Sequence, residues 1–375
     1  MAEKILVTGG AGFIGSHLVD GLLEEGYHVR VFDNLDPQVH PEGKIPDYLN
    51  KEAEFLQGDV RDRVALKNAI KDVRYIFHEA AAVGVGQSMY EIYRYTDINT
   101  MGCANLLDIL VNIPNSCEKL IVASSMSIYG EGKYKCDEHG IIYPKLRPEN
   151  QLHSREWEMK CPTCGKYSKK LPTDESKPLY PTSIYAINKR DHEEMVISTG
   201  IAYKIPSVAL RYFNVYGSRQ ALSNPYTGVM AIFSSRILNN NPPFINEDGC
   251  QTRDFIHVKD VVNANILSLK SDAANYQVFN VGSGKPLKII EIAENLIKIM
   301  GKDGNLKPII ANKFRAGDIR HCFSDTSKIN KILGFSPRVP FEKGFEELID
   351  WVSKQKAEDN FDKAQSELEK HGLTT

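Results

Sequence analysis

Tyr185 and Lys189 stand four residues apart in Ser183-Ile184-Tyr185-Ala186-Ile187-Asn188-Lys189, a spacing that puts both side chains on one face of a helix. An ammonium beside a phenol favours the phenolate and draws its pKa toward neutrality, as a base that removes a hydroxyl proton requires. Tyr129 and Lys133 share the spacing, but Gly130 and Gly132 lie between them and point to a loop. Ser124-Ser125-Met126-Ser127 ends an apolar run, so its hydroxyls should emerge at a strand end. Ser125 is the candidate for orienting a substrate oxygen, and Ser124 for a cofactor contact. A serine-rich strand end that only caps the next loop is the plainer alternative.

Thr8-Gly9-Gly10-Ala11-Gly12-Phe13-Ile14-Gly15 follows a short apolar strand and opens a helix. Gly9, Gly12 and Gly15 allow a tight turn, bring backbone amides around Phe13 and Ile14 against a pyrophosphate, and let the helix pack close to the strand. Asp33 closes the second strand 18 residues after Gly15. A carboxylate there accepts hydrogen bonds from both ribose hydroxyls and repels a 2′-phosphate, so NAD is expected rather than NADP, with Asn34 beside it. Asp59 and Val60 after the third strand, and Ala80, Ala81 and Ala82 after the fourth, face the same crevice and are assigned to adenine and backbone contacts.

A third constellation lies in the polar stretch 132–179. Cys136-x-x-His139 and Cys161-x-x-Cys164 face each other across 21 residues. Two short-spaced pairs of soft ligands are the arrangement of a tetrahedral structural zinc site, and a metal would order a segment too polar to form its own core. Reduced, unpaired thiols are the plainer reading. A redox pair is disfavoured because no separate βαβ unit surrounds Cys164. Cys103, Cys117, Cys250 and Cys322 show no partner pattern.

The elements that must position these residues alternate. Lys4 to Thr8, His28 to Phe32, Glu54 to Gln57, Arg74 to His78, Lys119 to Ala123 and Pro206 to Leu210 read as strands. Ile14 to Glu25, Val64 to Lys71, Asn99 to Val111 and a segment beginning near Thr182 read as helices. That order implies an α/β chain, a Rossmann-type doubly wound parallel sheet with a smaller C-terminal substrate-binding lobe and a small inserted Cys/His module. The expected division is an NAD-binding domain over 1–215 carrying the module at 132–179, and a lobe over mainly 216–354. Part of 250–285 returns to the first domain, and 355–375 is a solvated polar helix or tail.

At 375 residues, 42% hydrophobic and 25% charged, the composition is that of an ordinary globular protein. The 46 basic and 48 acidic side chains give a net charge of −2, so no global field attracts nucleic acid or anionic lipid, and an anionic ligand must be held locally. No apolar stretch is long enough to span a bilayer. The N-terminus runs straight into an apolar strand without the features of a secretory leader, so a cytoplasmic location is expected.

Gly9-x-x-Gly12-x-x-Gly15, Asp33, Ser125, Tyr185-x-x-x-Lys189, Arg211-x-Phe213-Asn214-x-Tyr216-Gly217, Arg253-Asp254-Phe255 and Arg315-Ala316-Gly317-Asp318 together resemble the extended short-chain dehydrogenase/reductase family of nucleotide-sugar epimerases and dehydratases. The resemblance runs from about Lys4 to Trp351, interrupted by the insertion: Ser125 and Tyr185 are 60 positions apart, roughly twice what the family commonly needs. It implies a tightly held NAD, a homodimer packed through first-domain helices, and a UDP- or dTDP-linked sugar as substrate. It also implies that Asn214 meets the phosphates or nearby sugar, Arg253 and Arg315 the diphosphate, and Asp318 the nucleoside ribose. Asn99 matches the family's asparagine helix, assigned to the cofactor side and to support of the tyrosine. Glu79 stands where the family usually has leucine.

Members that eliminate water carry an Asp-Glu pair after the serine, and decarboxylating members keep the Glu; here Met126 and Ser127 occupy those positions. Neither exchanges protons with a sugar carbon near neutral pH, so the implied reaction is epimerisation at carbon 4 through a transient 4-keto sugar. The strings 80–91 and 224–233 are most similar to 4-epimerases acting on dTDP-L-rhamnose or related UDP-hexoses. The alternatives are a net nucleotide-sugar oxidoreductase or dehydratase, and a catalytically silent NAD-binding scaffold or sensor.

Overall fold

The computed structural model describes residues 3–374. Seven strands form one parallel sheet: β1 (Lys4–Thr8), β2 (His28–Asp33), β3 (Glu54–Gln57), β4 (Tyr75–His78), β5 (Lys119–Ser125), β6 (Ser207–Tyr212) and β7 (Gln277–Val281). Their spatial order is β7-β6-β5-β4-β1-β2-β3. Ile5 and Val7 of β1 pack into one core with Leu18, Val31 and Phe77, while Leu6 turns to the other with Ile76, Leu106 and Val122. This is the two-residue period of a strand buried on both faces, which is why these segments read as apolar runs. The chain reverses its order beside β1, where Thr8 pairs with both Phe32 and His78, so the crevice opens beyond the carboxyl ends of β1, β2, β4 and β5.

The helix Ile184–Tyr203 is capped by the Ser183 hydroxyl, which accepts from the Ala186 N–H. Its buried face carries Tyr185, Asn188, Lys189, His192, Glu193 and Val196 and is therefore mostly polar. In the lobe, Val229–Leu238, Ile289–Ile299 and Phe341–Ser353 bury Phe233, Ile237, Ile292, Leu296, Phe345 and Leu348 in a third core. No helix among the described residues is long and apolar enough to cross a membrane.

Two segments differ from expectation. The insertion holds a small antiparallel sheet, Gly140–Ile142 and Lys169–Leu171 flanking Lys133–Cys136, and a short helix, Glu149–His153. Strands of three or four residues are too short to show a periodic signal, although Tyr134 and Cys136 form a buried face on Lys133–Cys136. The tail does not stay in solvent: Phe361–Lys370 is a helix whose Ala364 and Leu368, four residues apart, are buried. Beyond it the Ala316 N–H donates to the Leu373 carbonyl, and the His371 ring stacks on Tyr90 with centroids 4.7 Å apart. Its charged face had suggested solvation, and its narrow apolar face meets a wall supplied by distant residues.

Candidate active site

A cleft of about 620 Å³ runs from the glycine turn to the lobe. At one end the helix Phe13–Glu24 begins at Gly12 with no side-chain cap, leaving its first amides facing the cleft. A Cβ on Gly15 would lie 2.2 Å from the Gly9 carbonyl oxygen, and one on Gly9, whose φ is +70°, would lie 2.7 Å from the Ala80 nitrogen. Only glycine permits that approach. Asp33 accepts from the Ala11 and Leu35 amides at 3.0 and 2.9 Å, which orients the carboxylate while leaving further lone pairs for ribose hydroxyls. Burial raises its carboxyl pKa, against the pull of those two donors. Turn, amides and carboxylate fit a dinucleotide with a free ribose diol.

Asp59 lines the cleft but is gripped by Asn34 at 2.9 Å and Arg61 at 2.8 Å; burial raises its pKa, and the Arg61 and Asn34 bonds outweigh that and hold it at about 2. Val60, Ala80, Ala81 and Ala82 line the same end. Two assignments need correction. Asn99 is fully buried outside the cleft wall: it clamps Ala82, accepting from its N–H at 2.8 Å and donating to its carbonyl at 3.1 Å. Ser124 lines the cleft, but its hydroxyl is turned away and donates to Glu193 at 2.8 Å, because side chains alternate along β5.

Ser125 lines the cleft beside Tyr185, its hydroxyl accepting from the Ser127 hydroxyl at 2.9 Å. Lys189 donates to the Ala123 carbonyl at 2.9 Å. Burial pushes the Tyr185 phenol up to about 12, moderated by Ser125, and pushes Lys189 down to about 8, opposed by Glu79 and Cys103. The expected acidification of the phenol by Lys189 is thus absent from the protein alone, where burial dominates. Behind Lys189 lie the buried His78, Cys103 and His192; burial and the nearby ammonium hold both imidazoles well below their usual range.

Glu79 enters the cleft with its carboxylate accepting from the Tyr212 hydroxyl at 2.8 Å. Burial raises it to about 7, opposed by the Tyr212 hydrogen bond and by Lys189. A carboxyl raised from 4.5 to about 7 on folding keeps its proton over that window while the unfolded chain loses it. Its contribution is therefore complete below the unfolded value and is lost as pH rises through the folded one. Glu79→Gln should remove roughly 3 kcal/mol of stability loss between acid and neutral pH. Unfolding midpoints at pH 5 and pH 8 test this, and an unchanged pH slope would refute it.

At the lobe end, Asn214 lines the cleft with its buried side-chain carbonyl oxygen unpartnered. Arg253 holds the carbonyls of Thr252, Arg320 and Ile319 at 2.9, 3.0 and 2.7 Å. Arg315 and Asp318 form a two-bond pair at 3.0 and 3.1 Å, so the two residues expected to divide diphosphate and ribose begin locked together. Glu79, Tyr212, Glu247, Phe361, Ala364 and Leu368 line the cleft without having been assigned to it from the sequence. Only the departure at Glu79 had left a trace there.

Apart from the cleft, Cys136, His139, Cys161 and Cys164 converge, with one ligand atom from each within 4.8 Å of the others. Cys136 Sγ lies 3.6 Å from both His139 Nδ1 and Cys164 Sγ, and Cys161 Sγ lies 3.6 Å from His139 Nδ1.

Two family models match in succession: NAD dependent epimerase/dehydratase family over residues 5–151, and GDP-mannose 4,6 dehydratase over 164–348, with the boundary inside the module. A dTDP-L-rhamnose 4-epimerase of Burkholderia thailandensis is 34% identical over 357 residues, 94% of this chain and 96% of that protein. A UDP-N-acetylglucosamine 4-epimerase of Methanobrevibacter ruminantium, solved with UDP-N-acetylmuramic acid, superposes with a TM-score of 0.75 at 33% identity, covering 95% of this chain and 100% of that one. The UDP-glucose 4-epimerase of Thermotoga maritima, solved with UDP-glucose, gives 0.75 at 31% identity, covering 94% and 99%. With a dinucleotide cradle at one end, a hydroxyl, phenol and amine at the centre, and relatives matched along nearly their whole length, the chain belongs to the NAD-dependent epimerase/dehydratase family.

Proposed function

We propose that this chain inverts carbon 4 of a UDP- or dTDP-linked sugar with NAD held in the cleft. The observation that carries the reading is the meeting of Ser125, Tyr185 and Lys189 at the cleft centre, with Met126 and Ser127 where an eliminating enzyme needs carboxylates. Gly9, Gly12, Phe13, Ile14, Gly15, Asp33 and Asn34 would hold the dinucleotide, which when bound supplies the hydride acceptor and donor. Tyr185 removes the proton of the sugar 4-hydroxyl and later returns it. Ser125 hydrogen-bonds the same oxygen as its charge changes. Lys189 lies on the Tyr185 face of the helix, where with the cofactor bound its ammonium would favour the phenolate. Asn214, Arg253, Arg315 and Asp318 would bind the nucleoside diphosphate, with Arg315 exchanging its Asp318 partner for phosphate oxygens. The 4-keto sugar turns over within the cleft between the two proton transfers.

UDP- and dTDP-linked hexoses supplied without added NAD, with product stereochemistry read by NMR, test this. A C4 epimer formed at constant NADH supports the reading. Accumulation of NADH and a released keto-sugar would replace it with a net oxidation.

The four-ligand cluster is read as structural zinc. Tetrahedral ligands at ~2.3 Å for sulfur and ~2.05 Å for nitrogen lie ~3.6–3.8 Å apart, the separation found here, whereas a disulfide needs ~2.05 Å. One zinc per chain is expected by atomic absorption, falling to background in Cys161→Ser. We also read the enzyme as a cytoplasmic homodimer. Ile92, Tyr93, Met101 and Ile187 are 51, 82, 50 and 42% exposed on neighbouring first-domain helices, an apolar face suited to a second copy.

A further inference from the structure

The inserted module is wired into one wall of the cleft. Arg147, almost fully buried, donates to both oxygens of Glu247 at 2.7 and 3.1 Å, to the Trp157 carbonyl at 2.8 Å and to the Asp318 carbonyl at 3.3 Å. Arg320, with no exposure at all, reaches Glu158 at 2.6 Å, Glu247 at 2.8 Å and Asp248 at 2.7 Å. The Glu158 carboxylate also bonds His321 Nε2 at 3.0 Å, and Glu131 accepts from the Arg320 amide at 2.6 Å. Backbone bonds run in parallel, from the Gly132 N–H to the His321 carbonyl and from the Thr173 N–H to that of Phe323.

Arg147 and Glu158 belong to the module and Glu131 directly precedes it, whereas Glu247, Arg315 and Asp318 line the cleft at the lobe end. A buried network of this kind holds its shape only while each charge has its partners, since an unpaired member is costly at low dielectric. Glu158 and the Trp157 carbonyl sit just before Cys161, in a stretch whose only ladder contact is the Lys160–Tyr167 bridge. Gln151 holds its near end, donating to the Glu156 and Glu158 carbonyls at 2.7 Å each, and Cys161 and Cys164 on one side, with Cys136 and His139 at and just beyond the end of the first module strand on the other, would anchor its far end. None of the module's hydrogen bonds and ion pairs given above reaches the glycine turn or Asp33.

We propose that the metal at Cys136, His139, Cys161 and Cys164 braces the nucleoside-diphosphate half of the cleft, with Arg147 and Glu158 as positioning residues that carry the constraint to Asp318 and Glu247. This rests on the zinc reading above. Binding at the substrate end then depends on metal occupancy, while the dinucleotide end does not.

The test uses the full-length, NAD-loaded enzyme with UDP and dTDP as calorimetric probes. Zinc removal by chelator should weaken the better-bound nucleotide by about tenfold or more, the effect of losing a charged hydrogen bond or two. Bound NAD should be unchanged, and added zinc should restore affinity. Glu158→Ala, with zinc still bound, should reproduce the loss and raise KM for the sugar with kcat little changed. Zinc removal from Glu158→Ala should then add less than the two separate effects combined. If zinc is present but neither its removal nor Glu158→Ala alters nucleotide affinity, the brace is wrong and the zinc reading stands. If no zinc is bound, both fall. If chelation unfolds the enzyme, Glu158→Ala alone decides, and unchanged affinity there overturns the proposal. If the zinc-loaded enzyme binds neither nucleotide, the substrate reading falls and the brace with it.

Discussion

Tyr185→Phe is expected to lower epimerisation by about 10²–10⁴-fold, the usual contribution of a positioned acid-base group, without loss of fold or of bound NAD. The substitution removes one oxygen and nothing that holds the helix: the Tyr185 backbone N–H still donates to the Ser88 hydroxyl at 3.0 Å, and Ser183 still caps the first turn. The removed oxygen is the group proposed to carry the proton to and from the substrate, and it lies beside Ser125 in the cleft. In the protein alone burial holds the phenol at about 12, so the phenolate is scarce at neutral pH. The rate with loaded cofactor should therefore rise with pH until the phenol titrates, because the base form starts the reaction. Lys189 is the residue assigned to lower that pKa when cofactor is bound, so Lys189→Met should move the rising limb to higher pH as well as slow turnover. A Tyr185→Phe enzyme of undiminished turnover would dismiss the assignment and favour a silent scaffold.

Glu193→Ala should destabilise the fold by about 3–5 kcal/mol, since it strands a buried guanidinium. Arg211 at the end of β6 and Glu193 on the catalytic helix are 5 and 4% exposed, joined at 2.9 and 2.5 Å. Glu193 also receives the Ser124 hydroxyl, and Arg211 donates to the Tyr129 hydroxyl at 2.7 Å. The pair therefore ties β5, β6 and the helix that presents Tyr185 into one unit, and its loss should loosen the site as it lowers stability. Glu194→Ala is the control: its Arg190 partner is exposed, and a solvated pair contributes about 0–1 kcal/mol. Denaturant midpoints should separate the two variants clearly. Equal shifts would mean that the buried pair does not supply the stability assigned to it.

The catalytic helix shows where reading the chain reaches its limit. Its buried face is built from Asn188, Lys189, His192 and Glu193, so hydrophobic periodicity says little about it. It was legible through its start near Thr182, after Pro181, and the Tyr185–Lys189 spacing. Tyr129 carries the same spacing to its lysine, yet it is fully buried and donates to Asn280 at 2.7 Å. The tail helix misled in the other direction, because charge density along 355–375 outweighed the pair Ala364 and Leu368.

Features governed by neighbours along the chain were determined by the amino-acid order itself: six strands of the parallel sheet, the glycine cradle, Asp33 at its strand end, the Tyr-Lys face and the Cys-His and Cys-Cys pairs. Each follows from local sterics, side-chain alternation or short ligand spacing. The tertiary structure alone decided that the Ser124 hydroxyl turns to Glu193, that Glu79 meets Tyr212 beside Lys189, and that Arg147 joins Glu247, 100 residues on. Those outcomes depend on desolvation and on pairings between distant segments. A buried charge takes its meaning from the partner that packing brings to it.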